Sequence, residues 1–290
     1  MKKLLLILFI FISVIGYAQY QNYNINPNYT NHNRVNTCKN LLQKYTLDEL
    51  SAMISSGNFD DIYVGDYMEV PLNLPGGKMN VRWLVAAINY FKNKTDVEIK
   101  TNHIVLVAES CFDSIANMNS SNTTSGGFAS SSLYIRGLNS YNTSLINAFG
   151  SNHVLEYHQL LTVQTNTTAT SMAGNNEVGC SSSREWATGA EGYPQVTKLC
   201  LMNECQLFGT KCCSSSHYDI GINAVQFPLF AQIPELIVTG RGFNNYYAYS
   251  AYWLTNVFST TSFAICTFEG KISSSNASEY QGLRPYFLFY

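Results

Sequence analysis

Apolar positions in this chain fall in short runs whose period changes from one run to the next. Thr46-Leu47-Asp48-Glu49 has the form of a capping box, and Leu47, Leu50, Met53 and Ile54 then recur at helical spacing. Gly57 ends that run, so the spacing predicts a short amphipathic helix over 47–56. From Ile62 to Val70 the pattern alternates as a strand interrupted by Gly65. Pro75-Gly76-Gly77 makes a turn, and Val81 to Tyr90 is a second strand, so the two form a hairpin. His103 to Ala108 is a third strand, apolar enough to be buried.

Beyond it, Asn117 to Ser132 is rich in Asn, Ser, Thr and Gly and is expected to be an ordered surface loop. Thr143 or Ser144 is expected to cap a short helix through Ala148, closed by Gly150. A further apolar run spans Val154 to Val163. The chain then turns polar from Gln164 to Glu191, as a surface insertion would. Apolar spacing returns from Val196 to Phe208, with Leu199, Met202 and Leu207 expected inside, and Val225 to Phe230 should dock on the core. Ser262 to Phe268 reads as a strand entering a turn at Glu269-Gly270-Lys271. In the closing run Leu283, Pro285, Phe287 and Phe289 share one parity while Arg284, Tyr286, Leu288 and Tyr290 share the other. A strand apolar on both faces belongs inside a sheet. No internal repeat is visible. The organisation expected is a single α+β domain over 46–290, of short antiparallel strands, few short helices and long loops, with a Cys-rich insertion around 164–217.

The start of the chain reads differently. Lys2 and Lys3 precede an apolar run from Leu4 to Ile15, followed by Gly16-Tyr17-Ala18, the signature of a secretory signal peptide over 1–18. The polar residues 19–45 that follow, rich in Asn, Tyr and Gln at their start, are expected to be a flexible segment. The 290 residues, 46% hydrophobic and 13% aromatic, suffice for a sizeable core. Only 12% are charged, so amides and hydroxyls must wet the surface. A net charge of −2, or −4 once Lys2 and Lys3 are removed, offers no basic footprint for nucleic acid. Eight cysteines suit an oxidising compartment, and one or two disulfides are expected within the cluster Cys180, Cys200, Cys205, Cys212 and Cys213. No Cys-x-x-Cys pair is present, so no metal or cofactor is expected.

The order of short motifs carries a resemblance. Gly65-Asp66-Tyr67, Val81-Arg82-Trp83-Leu84, Thr101-Asn102-His103-Ile104-Val105-Leu106 and the polar run Met118 to Phe128 come first. Phe149 to Leu155, Gln226 to Phe230, Tyr252-Trp253-Leu254 and Gly282-Leu283-Arg284-Pro285-Tyr286-Phe287 complete the series. Over about residues 46–290 they resemble an uncharacterised domain of tail, fibre and other structural proteins of phages and prophages of gut bacteria, found also in some bacterial surface proteins. The closing motif is similar to that of C-type-lectin-like folds and of formylglycine-generating-enzyme-like domains. The resemblance implies a C-type-lectin-like α+β fold whose loops present a binding face. Its partners would be a cell-surface glycan or protein, and other virion proteins, with oligomers expected. The signal peptide and the cysteine cluster depart from the phage pattern, and favour a secreted or surface-displayed member over a virion one.

Candidate chemistry is sparse. In the formylglycine-generating enzymes a cysteine pair near the domain's end does the work, whereas Cys266 stands alone in the last forty residues here. His103, His153 and His158 lack the spacing of a helical zinc pair and adjoin apolar runs, so core or rim roles are expected. Trp253, in an apolar strand context, is expected to anchor the core. Arg284, on a buried strand, needs either a carboxylate, from Asp66 or Glu69, or several carbonyls. With Gly282 and Pro285 these residues form a structural motif, and no catalytic residue is assigned. The best binding candidate is Gly242 to Ser250, in which Asn244, Asn245, Tyr246, Tyr247 and Tyr249 combine amphipathic rings with adaptable amides. The expected function is a non-enzymatic structural or receptor-binding module, secreted, at the cell surface or on a virion. The alternative is a secreted bacterial enzyme acting on polysaccharide or peptide.

Overall fold

The computed structural model describes residues 31–33, 35–93, 99–112, 115–157, 160–164, 182–186, 198–210, 212, 225–238 and 251–290. Helix α1 is Leu47–Ser56, α2 Leu138–Phe149, α3 Glu204–Phe208 and α4 Pro228–Gln232. Strands β1 Tyr67–Leu74, β2 Gly77–Ile88 and β3 Ile104–Ala108 come first, with β4 Ile115–Ala116, β5 Leu160–Gln164, β6 Ser182–Trp186 and β7 Leu199–Leu201 in the middle. Strands β8 Tyr252–Val257, β9 Ser262–Cys266, β10 Ile272–Asn276, β11 Gln281–Gly282 and β12 Pro285–Phe289 close the chain. The architecture is mixed α+β. Sheet one has the order β1-β2-β3-β12-β7, sheet two β10-β9-β8-β11-β4, and β5 pairs with β6 alone. All pairings are antiparallel except β8 with β11.

Local signals explain the first elements. The Thr46 hydroxyl accepts from Glu49 N while the Glu49 carboxylate accepts from Thr46 N, and Gly57 closes α1 in the left-handed region at φ 81°. The expected strand over 62–70 starts later, at Tyr67, because Gly65 takes φ 90° and turns the chain before the β1–β2 ladder begins. The ladder then runs from Tyr67 opposite Leu84 to Leu74 opposite Gly77.

Two expectations in the middle of the chain are corrected. The helix expected from Thr143 or Ser144 begins at Leu138, in continuation of a π-helical turn at Leu133–Gly137. The Thr143 and Ser144 hydroxyls donate back to the carbonyls of Asn139 and Ser140 rather than capping. Leu138, Tyr141, Leu145 and Phe149 make the buried face of α2, which packs on sheet one. The stretch 117–132 is a surface loop only in part, with residues 120–123, 125 and 132 exposed. Met118 and Phe128 are buried, Asn119 N donates to Ala277 O (2.9 Å), and Thr124 Oγ1 donates to Ser259 O (2.7 Å), which fastens it to sheet two.

The closing strand lies where its two apolar faces demand, between β3 and β7. Phe287 meets Trp83 edge-on at 4.8 Å and Phe149 at 4.9 Å on the α2 side. Tyr286, of opposite parity, stacks on Phe91 at 5.9 Å and meets Phe227 at 5.7 Å beside α4. Leu199, Met202, Leu207, Phe227, Leu229 and Phe230 are buried as expected.

The polar segment before α1 is docked over its described part. Asn33 is buried, with its amide in a double hydrogen bond to the Ile88 main chain. Val35 and Asn40 bridge Val64 and Tyr67 in parallel, and Leu41 is fully buried. The segment is held because the Asn33 amide finds the Ile88 main chain and the Thr37 hydroxyl the Asp66 carboxylate, which composition does not reveal.

Candidate functional site

Two residues, Leu283 and Arg284, carry the chain from β11 in sheet two to β12 in sheet one. This crossing is the point on which the motif residues converge. Gly282 sits in a closely approached place, where a Cβ would lie 2.8 Å from Cys111 Sγ and 3.0 Å from Ala251 O. Its N–H donates to Ala251 O (2.8 Å), and Leu283 O accepts from Phe112 N (2.9 Å). Pro285, the first residue of β12, is the one place in that central strand where a missing N–H is tolerated.

Arg284 is fully buried in this joint, and no carboxylate faces it among the described residues. The first of the two expectations is therefore replaced by the second, carbonyls. Nε donates to Ala108 O at the end of β3 (2.9 Å), and Nη1 to Ile237 O (3.2 Å) and the Tyr252 hydroxyl (3.3 Å). The guanidinium lies 5.2 Å from the Phe230 ring centroid and 5.5 Å from that of Tyr252, so ring quadrupoles complete its surroundings. Nη2 has no acceptor among the described residues. Asp66, one of the proposed partners, instead accepts from Thr37 Oγ1 (2.6 Å), Lys39 N and Tyr63 N (both 3.0 Å). Glu69 lies 3.8 Å from Arg82.

Tyr252 links the joint to the stretch before it. Its hydroxyl donates to Ile237 O (2.9 Å), so the chain on the two sides of 239–250 is knotted at one carbonyl that also takes Arg284. Burial pushes the Tyr252 phenol well above its ordinary range, and it stays a neutral donor. Burial likewise pushes the Cys266 thiol up to about 11, against smaller opposing effects of Tyr252 and Arg284. Such a thiol is packing material, and no local pattern marks it as part of this cluster. Trp253 is buried with Nε1 donating to Ala116 O (2.7 Å), an anchor of sheet two. Val238 and Phe268 are exposed near the same knot, where the β9–β10 turn at Gly270 approaches Val238.

The remaining candidates separate. Asn244, Asn245, Tyr246, Tyr247 and Tyr249 lie outside the described residues, as do His158, Cys180, Cys213 and the signal segment 1–18. His103 is a core histidine whose Nδ1 donates to Thr101 O (3.0 Å) and whose Nε2 accepts from Phe91 N (3.2 Å). Burial lowers its pKa to about 4, and the ring is neutral. His153 sits at the rim, Nε2 2.9 Å from Asp48 Oδ1, its ring stacked on Phe289. No two described cysteines stand at disulfide distance, and no described group of His, Cys, Asp and Glu could hold a metal ion. No described helix is long and apolar enough to cross a membrane. Neither a family model, nor a curated protein, nor a solved structure matches the chain.

Proposed function

We propose that this protein is a non-enzymatic structural or receptor-binding module of the phage and prophage type, presenting loops to a cell-surface glycan or protein. The tyrosine- and asparagine-rich stretch 242–250 is the part that meets the partner. The observation that carries this reading is the knot at Ile237 O. Arg284 and Tyr252 anchor both sides of that stretch to the buried joint between the sheets. Three described groups with chemical potential are absorbed in packing, which fits a binding role. His103 is kept neutral, the Cys266 thiol is raised, and the Asp66 carboxylate is surrounded by donors. A C-type-lectin-like relationship belongs with the same proposal, since that architecture also displays irregular loops on small sheets. So does display outside the cell, the role for which the signal segment and low charge are suited.

Glycan-array binding by residues 19–290 tests it. Saturable binding that survives chelator and leaves the glycan intact is expected. Replacing Tyr246, Tyr247 and Tyr249 together by Ala should abolish binding with the melting temperature unchanged. Retained binding would remove that stretch from the site. Release of product from a polysaccharide or peptide would replace the reading with a secreted enzyme.

A further inference from the structure

The docked segment before α1 carries an inference independent of the tyrosine stretch. Its partners are main-chain and side-chain groups on elements that the rest of the fold holds in place. Gly65 N donates to Val85 O (2.9 Å) and Val85 N to Asp66 O (2.7 Å), so β2 holds the 64–67 turn in place. Against that turn, Val64 N donates to His32 O (3.1 Å) and Tyr67 N to Lys39 O (2.9 Å). The Gln232 side chain of α4 accepts from Val35 N (2.9 Å) and donates to Asn33 O (2.8 Å), so a side-chain amide stands in for a neighbouring strand. Asn33 spans both polar groups of Ile88, at 2.8 and 3.3 Å, and Thr37 and Lys39 satisfy the fully buried Asp66. Without an occupant, the Asp66 carboxylate, Val64 N, Tyr67 N and the Ile88 main chain would all lose partners. The channel therefore demands an amide- and hydroxyl-bearing peptide that can turn at Cys38.

The occupant is held by a different balance. Of the described residues in 32–41 only Asn33 and Leu41 are buried, and most of the segment's bonds are polar ones that water can replace. Its exit toward α1 is latched at one carboxylate, Asp61, which takes Lys39 Nζ (2.9 Å), Lys44 Nζ (2.8 Å) and the Tyr45 hydroxyl (2.9 Å). Cys38 in the middle holds φ 51°, a conformation a non-glycine residue adopts at a cost. A preformed channel whose polar occupant is held at the Asp61 and Asp66 carboxylates suits strand exchange. We propose that this channel is a peptide-binding site which a second copy's residues 31–41 can fill, linking copies of the chain. The covalently attached segment competes at an effective concentration on the order of millimolar, so exchange needs crowding or a loosened latch.

The test uses the full chain carrying Asp61→Asn and a fluorescent peptide of residues 31–45. The peptide should bind saturably, one per chain. A version with Asn33 and Thr37 replaced by Ala should bind roughly tenfold more weakly. The same chain should form dimers whose share grows with concentration and falls when unlabelled peptide is added. Where Asp61→Asn fails to fold, Lys44→Gln cuts one arm of the latch and is measured in the same way. No saturable binding at millimolar peptide, or a monomer at every concentration, overturns the proposal.

Discussion

The two ends of the described chain are secured by opposite means. The closing strand β12 is apolar on both faces and lies inside sheet one, with Phe287 against Trp83 and Phe149 and Tyr286 against Phe91 and Phe227. The segment ahead of α1 lies outside β1 and is held by Asn33, Thr37, Lys39 and the carboxylates of Asp61 and Asp66. One end is fixed by surface removed from water, which needs no particular partner atom. The other is fixed by matched donors and acceptors, each modest alone and costly to orphan. The ends should therefore fail under different insults.

The largest expected effect is on the apolar end. Phe287→Ala should cost about 3–5 kcal/mol of unfolding free energy, because rigid aromatic neighbours cannot collapse into the space. Urea titration measures it, and a loss under 1 kcal/mol would place the strand's anchorage elsewhere.

Acid sharpens the contrast next. Burial depresses the His103 pKa to about 4, so the unfolded chain takes up a proton below the ordinary histidine value of about 6.5 before the folded one does. The associated stability is complete above that ordinary value and declines as pH falls toward about 4. The total is on the order of 3 kcal/mol. His103→Phe should flatten the profile in that window while orphaning Phe91 N. Urea midpoints across a pH series read both, and a variant as pH-dependent as the parent would exclude His103 as the cause. The latch responds lower down. Lys44, Lys39 and Tyr45 hold the Asp61 carboxyl well below the usual carboxylate range, so its contribution stands above that range and is lost only as pH falls beneath it.

The smallest expected effect probes the polar end. Asn33→Ala should cost about 1–3 kcal/mol through the unpaired Ile88 main chain. Amide exchange should quicken at Ile88, Val64 and Tyr67 while β12 stays protected. Equal quickening in β12 would mean that the two ends are not separately secured.

The same contrast explains what the sequence disclosed. The capping box, the Gly57 stop, the β1–β2 hairpin and the two-faced closing strand are signals within a few residues of each other, and each is found in place. Asn33 and Ile88 are 55 positions apart, and an amide that bonds main chain leaves no periodic trace. The buried face of α2 is Leu138, Tyr141, Leu145 and Phe149, but the Ser, Thr and Asn between them mask its period, so the pattern predicts only its last turns, from Thr143 or Ser144. At the joint, burial of Arg284 followed from its strand. Its acceptors did not, because carbonyls belong to every residue and ring faces are not marked by charge.

The two-residue crossing at Leu283 and Arg284 has a consequence for how the molecule comes apart. A linker of ordinary length would let one sheet melt while the other persisted. Here the guanidinium grips the end of β3, the start of β8 and the turn at Ile237 at once. Freeing Arg284 strips the Ala108 carbonyl of sheet one, the Tyr252 hydroxyl of sheet two and the Ile237 carbonyl of a shared donor. The two sheets are therefore expected to unfold together in one transition.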